Sequence, residues 1–149
     1  MHPLPHVYTV TAATAPAGAV TLASPGLDEL GSDAPAEFDG PGDKWSPETL
    51  LVASLVDCFV LSFRAVAKAS RFDWQRLDCR AEGKLDRVDR ATQFTEFTLH
   101  ATLTLPAGAD QERARKLLEK AEQLCLISNS LKASKYLEIT LLEITLAAG

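Results

Sequence analysis

The sequence predicts an α+β fold with helices packed on antiparallel sheet, and three observations carry that reading. Period-two alternation recurs near the start, in the middle and at the end of the chain. A long helix begins at a clear cap and is apolar nearly all round. A second, amphipathic helix separates the middle strands from the last one. At 149 residues, the chain is expected to form a single domain over 1–149.

Taken in order, residues 7–12 read as a strand with Tyr8, Val10 and Ala12 on one face. Ala15-Pro16-Ala17-Gly18 is a turn, and residues 20–23 form the returning hairpin strand. From Ser24 to Asp43 the chain is mostly loop, with a short strand near Leu27–Leu30. The helix then starts: Ser46 accepts from an orphan N–H of the first turn, Pro47 suits the first position, and Glu48 favours the positive dipole end. Leu51, Leu55, Cys58, Ser62 and Val66 recur at three- and four-residue steps, and Leu50, Phe59 and Phe63 add a second row. The helix reaches about Ala69, and its stretch from Leu50 to Val66 is interrupted by charge only at Asp57 and Arg64, so it is expected to be buried in the middle of something.

Leu77, Cys79 and Ala81 alternate with Asp78, Arg80 and Glu82, and Phe97 to Leu105 alternates with Thr98, His100, Thr102 and Thr104. Each strand has one dry and one wet face. Gly83 to Arg90 extends their hairpin into solvent. Pro106-Ala107-Gly108 breaks the sheet, and Asp110 caps a helix running to about Cys125. A loop or helical turn follows to Lys135. Leu137 and Ile139 then alternate with Glu138 and Thr140, while Leu142, Ile144 and Leu146 continue one step out of phase. That shift predicts a bulge near Leu141-Leu142.

Composition narrows the function. Lys plus Arg is 15 and Asp plus Glu is 20, a net charge of −5, which argues against a nucleic-acid partner. Apolar residues make up 46%, enough for a core, but no uncharged run approaches the ~18 residues of a membrane span. Residues 1–6 show no basic-then-apolar pattern, so no signal peptide is expected. Three cysteines are too few and too odd in number for a disulfide scaffold; a cytoplasmic location with free thiols fits better. No metal is expected: His2 and His6 lie in a Pro-broken segment, His100 is on a wet strand face, and none shares zinc spacing with a cysteine. Gly40-Pro41-Gly42 lacks the Gly-Lys-Ser/Thr of a phosphate loop, and there is no Gly-x-Ser-x-Gly elbow.

The cysteines remain. Cys79, between Leu77 and Ala81, reads as core. Cys58 and Cys125 stand 67 residues apart, and packing alone allows both to be core as well. Ser54 and Ser62, however, flank Cys58 at four-residue steps, and Cys125 opens the polar stretch Ser128-Asn129-Ser130.

Ser46-Pro47-Glu48, the long apolar helix bearing Cys58-Phe59, and the distant Cys125-Leu126-Ile127-Ser128-Asn129 together resemble the osmotically inducible protein C and organic hydroperoxide resistance (OsmC/Ohr) superfamily, over nearly the whole chain. Gly40-Pro41-Gly42-Asp43-Lys44-Trp45 resembles the OsmC-like subgroup rather than the Ohr branch. The resemblance implies an intertwined homodimer with two active sites at its interface, working as a thiol peroxidase without a cofactor. It implies that Cys58 attacks an alkyl or lipid hydroperoxide and becomes a sulfenic acid. Cys125 resolves it as a disulfide, which a dithiol reductant reopens. Glu48 matches the glutamate that orients a catalytic arginine. Ten residues of helix place Glu48 about 15 Å from Cys58, so it serves the partner subunit's Cys58 if two such helices pack antiparallel; otherwise it is a first-turn dipole charge.

One feature departs from the family. The resemblance places an arginine in the N-terminal hairpin, near Ala17–Val20, yet no arginine precedes Arg64 and the only basic residue before it is Lys44. Lys44 is the preferred substitute cation over His6 and Arg64; its other reading is a solvated loop lysine. Two further possibilities therefore stand beside the enzyme: an OsmC-like dimer that binds a small apolar or electrophilic ligand, and a stable dimer whose buried thiols are inert.

Overall fold

The structure is a computed structural model and describes residues 1–145. It divides into two compact units, Met1–Leu51 and Val52–Gly149, with the long helix beginning in the first and continuing through the second.

The N-terminal unit holds a three-stranded antiparallel sheet in the order β1-β2-β3: β1 Thr11–Ala13, β2 Val20–Ala23 and β3 Leu30–Ser32. Two expectations are corrected here. Residues 7–10 are not strand, because β2 pairs only with Thr11–Ala13 and then turns away; Tyr8 and Val10 are 86% and 65% exposed. The third strand starts at Leu30 rather than Leu27, since Leu27 N–H closes a turn onto the Ser24 carbonyl and Gly26 takes φ 76°. A 3-10 turn follows over Ala36–Phe38. Gly40 N–H returns to the Pro35 carbonyl at 3.0 Å, and only glycine fits there: a Cβ would stand 1.7 Å from the Ala34 carbonyl oxygen.

The helix α1, Pro47–Ala69, starts as its sequence predicts. Ser46 Oγ accepts from Thr49 N–H at 3.1 Å, and Ser46 N–H donates back to Thr49 Oγ1 at 2.9 Å, a reciprocal cap that is 1% exposed. With 23 residues and mean hydropathy 2.0, α1 suffices by length and composition to cross a membrane. Along it Leu55, Phe59, Phe63, Val66 and Ala67 are buried.

The C-terminal unit builds on the long hairpin β4 Arg76–Val88 and β5 Ala91–Leu105. Phe97, Leu99, Ala101, Leu103 and Leu105 are all within 1% of full burial, as the alternation requires. Helix α2, Gln111–Leu124, is capped by Asp110, which accepts from Arg113 N–H at 3.0 Å. It buries Ala114, Leu117, Leu118 and Ala121. A short helix α3, Leu126–Ser130, leads to β6, Ser134–Glu143.

The α+β class holds, but the sheet is mixed rather than antiparallel throughout: the order is β4-β5-β6, and β6 runs parallel to β5. The helical crossover between them returns the chain to the same end of the sheet. No bulge occurs near Leu141-Leu142, because pairing runs unbroken from Glu96↔Ser134 to Leu105↔Glu143. Leu141 keeps the inner alternation, while Leu142 and Ile144 point outward, 49% and 40% exposed. Leu146 lies outside the described residues. The irregularity falls instead at Lys84/Leu85, opposite Thr95.

Candidate functional site

The row of α1 beside its buried face carries Ser54, Asp57, Cys58, Leu61, Ser62 and Ala65. These form one wall of an open cleft of about 470 Å³, and Leu126 and Ile127 of α3 form the other. Cys58 is half-buried on its wall, and Cys125 lies fully buried at the junction of α2 and α3. Both thiols are free. They are close enough to interact: Cys58 is among the groups that push the Cys125 thiol up.

Local backbone chemistry fixes Cys125. Its N–H donates to the Glu122 carbonyl as α2 ends, and its sulfur caps α3 by accepting from Ser128 N–H at 3.5 Å. Ser128 is itself 4% exposed and donates from Oγ to Glu122 Oε1 at 2.5 Å. The other carboxylate oxygen, Glu122 Oε2, is buried without a hydrogen-bond partner. Burial pushes the Cys125 thiol up to about 11; Cys58 and the Glu122 charge push the same way, while Ser128 N–H opposes them. At neutral pH, Cys125 is therefore a thiol, with thiolate on the order of one part in 10⁴. Burial, then the charge of Glu122, also pushes Cys79 up to about 11. Cys79 is half-buried on the inner side of β4 with Leu77 and Ala81.

Glu122 and Ser128 are the residues that sequence reading missed as a pair. The signal was present in their spacing, three residues to either side of Cys125. Glu122→Gln keeps an acceptor for Ser128 and deletes the charge. The Cys125 titration is then expected to move down, read as thiolate absorbance with Cys58 and Cys79 replaced by serine. An unmoved midpoint contradicts the role given to Glu122.

Within the N-terminal unit, Glu48 lines a cleft of about 320 Å³ with Val20, Ser32, Asp33, Pro35 and Phe38. Its Oε2 atom is buried with no hydrogen-bond partner. Val20 closes the segment in which the resemblance places an arginine, and no Lys or Arg lines this cleft. Lys44 is exposed and lines a different hollow with Gly42, Asp43, Trp45 and Thr49. His100, on the outer face of β5, is held by Glu138 Oε2 at 2.7 Å from Nδ1. Among the described residues, no three His, Cys, Asp or Glu side chains gather as a metal site.

The OsmC-like protein family model matches residues 40–140, the span that holds α1, Cys58, Cys125 and most of the second sheet. The chain belongs to the OsmC-like family. Peroxiredoxin OsmC of Escherichia coli is 30% identical over 96 residues, which cover 64% of this chain and 64% of that protein. An OsmC-like protein of unknown function from Vibrio cholerae has the same fold, with TM-score 0.84 at 18% identity over 91% of this chain and 99% of its own. An organic hydroperoxide resistance protein OsmC from Legionella pneumophila superposes with TM-score 0.74 at 24% identity, over 94% and 99% of the two chains.

Proposed function

We propose that this OsmC-like chain is a thiol peroxidase for organic hydroperoxides, with Cys58 as the attacking thiolate and Cys125 as the resolving thiol. The observation that carries the reading is the pairing of a cleft-facing Cys58 with a buried Cys125 beside it. Cys58 sulfur attacks the distal peroxide oxygen, the O–O bond breaks, and the alkoxide leaves as an alcohol after taking a proton. Cys58 is then a sulfenic acid. Cys125 sulfur attacks it, an S–S bond forms, and the hydroxyl leaves with the Cys125 proton as water. Two electrons have passed from the two thiols to the peroxide, and an external dithiol reductant restores them.

The cleft suits this sequence of roles. Its apolar walls favour an alkyl group over hydrogen peroxide itself. Its lining leaves Leu61 and Leu126 exposed at 48% and 66%, an apolar margin that a second copy of the chain would cover as a homodimer. In that homodimer we assign Glu48 to orient a cation at the partner subunit's Cys58, with Lys44 as the candidate cation. The location assigned is the cytoplasm, where dithiol reductants keep both thiols reduced between turnovers.

A second reading has one observation in its favour. Among the described residues no Lys or Arg lines the Cys58 cleft to stand beside the sulfur. In that reading the dimer binds a small apolar or electrophilic ligand without turnover. Cumene hydroperoxide consumption in the presence of a dithiol separates the two. The peroxidase reading expects rates far above that of free cysteine; a rate equal to free cysteine leaves the binding reading.

A further inference from the structure

Resolution requires a proton to leave Cys125. The sulfur attacks as a thiolate, yet burial keeps it a thiol at neutral pH. Cys125 is fully buried, so bulk water does not reach the sulfur to carry the proton away. Two ionisable side chains act on this thiol, Cys58 and Glu122. Cys58 is the other half of the new bond. Glu122 is the group available to take the proton.

The geometry around Glu122 suits that task. One residue ties its carboxylate to the sulfur: Ser128 Oγ donates to Glu122 Oε1 at 2.5 Å, and Ser128 N–H donates to Cys125 Sγ at 3.5 Å. Glu122 stands three residues before Cys125, whose own N–H donates to the Glu122 carbonyl. With Oε1 engaged, Oε2 is buried and has no hydrogen-bond partner, so its lone pairs are free to accept. The Cys125 sulfur, Ser128 and Oε2 are all closed off by the atoms of one chain. A second copy of the chain therefore adds no group to them.

We propose that Glu122 Oε2 takes the Cys125 proton during resolution and returns it to the leaving hydroxide. The inference rests on the peroxidase reading and adds a proton route to its second step. The S–H bond of Cys125 breaks as the proton passes to Oε2. The sulfur then attacks Cys58 sulfenic acid, the S–S bond forms and the S–O bond breaks. The departing hydroxide takes the proton back from Oε2 and leaves as water. Ser128 N–H steadies the thiolate in between, and Ser128 O–H fixes the carboxylate by its other oxygen. Glu122 thus has two effects of opposite sign: its charge disfavours the resting thiolate, and its free oxygen speeds the proton's departure.

Rapid-quench mass spectrometry tests this. Reduced protein is mixed with one equivalent of cumene hydroperoxide, and peroxide consumption, dimedone-labelled Cys58 and the Cys58–Cys125 disulfide are followed in time. The readout is the rate of disulfide formation from the sulfenic acid relative to peroxide consumption within each protein. Glu122→Gln keeps an acceptor for Ser128, and its relative rate is expected to fall about tenfold or more, even though its Cys125 titrates lower than in the wild type. Charge alone predicts the opposite, a faster attack. Glu122→Asp keeps a carboxylate on a shorter stem and is expected to exceed Glu122→Gln, an order that loss of shape alone would not produce. A relative rate in Glu122→Gln equal to or above wild type, or Glu122→Asp no faster than Glu122→Gln, overturns the proposal. If the wild type consumes peroxide no faster than free cysteine does, the peroxidase reading fails and this inference falls with it. That outcome is read in the first step, whereas the role of Glu122 is read in the second.

Discussion

Cys58→Ser is expected to lower organic hydroperoxide reduction by roughly a thousandfold or more, because the hydroxyl of serine neither ionises at neutral pH nor accepts the peroxide oxygen as a stable acid. Cys125→Ser is expected to behave differently. Cys58 faces the cleft, whereas Cys125 is fully buried behind it. The Cys125→Ser protein should complete one turnover and stop as a sulfenic acid, which a dimedone probe captures as a mass increase on the Cys58 peptide. Stopped-flow consumption of one equivalent of cumene hydroperoxide reads both variants. If Cys58→Ser retains the wild-type rate, or if Cys125→Ser reacts no peroxide at all, the division of roles is wrong.

Gly40→Ala is expected to be the most damaging single methyl in the N-terminal unit. A Cβ there would lie 1.7 Å from the Ala34 carbonyl oxygen and 2.4 Å from its carbon, both backbone atoms that Gly40 N–H and the 3-10 turn hold in place. The backbone must open to admit it, with a loss of about 3 kcal/mol. Gly31, in β3, is the control: a Cβ there meets nothing within 4 Å, so Gly31→Ala should change stability by no more than about 0.5 kcal/mol. Urea denaturation followed by Trp45 fluorescence in a Trp74→Phe background compares the two. Equal midpoints for both variants contradict the close packing described for Gly40.

What could be read ahead of the structure was what depends on neighbours in sequence. Ser46, Pro47 and Glu48 mark the start of α1 because a cap is a bond between residues three apart, and Ser46 and Thr49 make that bond. Asp110 is legible for the same reason. The inner row of β5 follows from alternation alone. Pairing direction is different in kind. Whether β6 lies parallel or antiparallel to β5 depends on where α2 and α3 deliver the chain, and the alternation of Leu137 and Ile139 is the same in both cases. The exposed Leu142 and Ile144 look like a face switch only if every apolar residue is assumed to turn inward.

The site divides along the same line. Cys58 and Cys125 were singled out by residue type and resemblance. Their being neighbours is a tertiary fact, and so is the cleft that Leu126 and Ile127 close. Glu122 was hidden because it sits on α2 outside the apolar row formed by Ala114, Leu117, Leu118 and Ala121. The scarcity of basic residues before Arg64 is visible in the sequence, but the unpartnered Oε2 of Glu48 that accompanies it is not.

The central claim is that Cys58 and Cys125 form one redox pair while Cys79 stands aside. Peptide mass mapping of the reduced protein after one equivalent of cumene hydroperoxide tests it most directly. The account predicts a Cys58–Cys125 cross-linked peptide lighter by two hydrogens, lost on treatment with a dithiol, and an unmodified Cys79 peptide. Three free thiols after treatment, or a cross-link that includes Cys79, would contradict it.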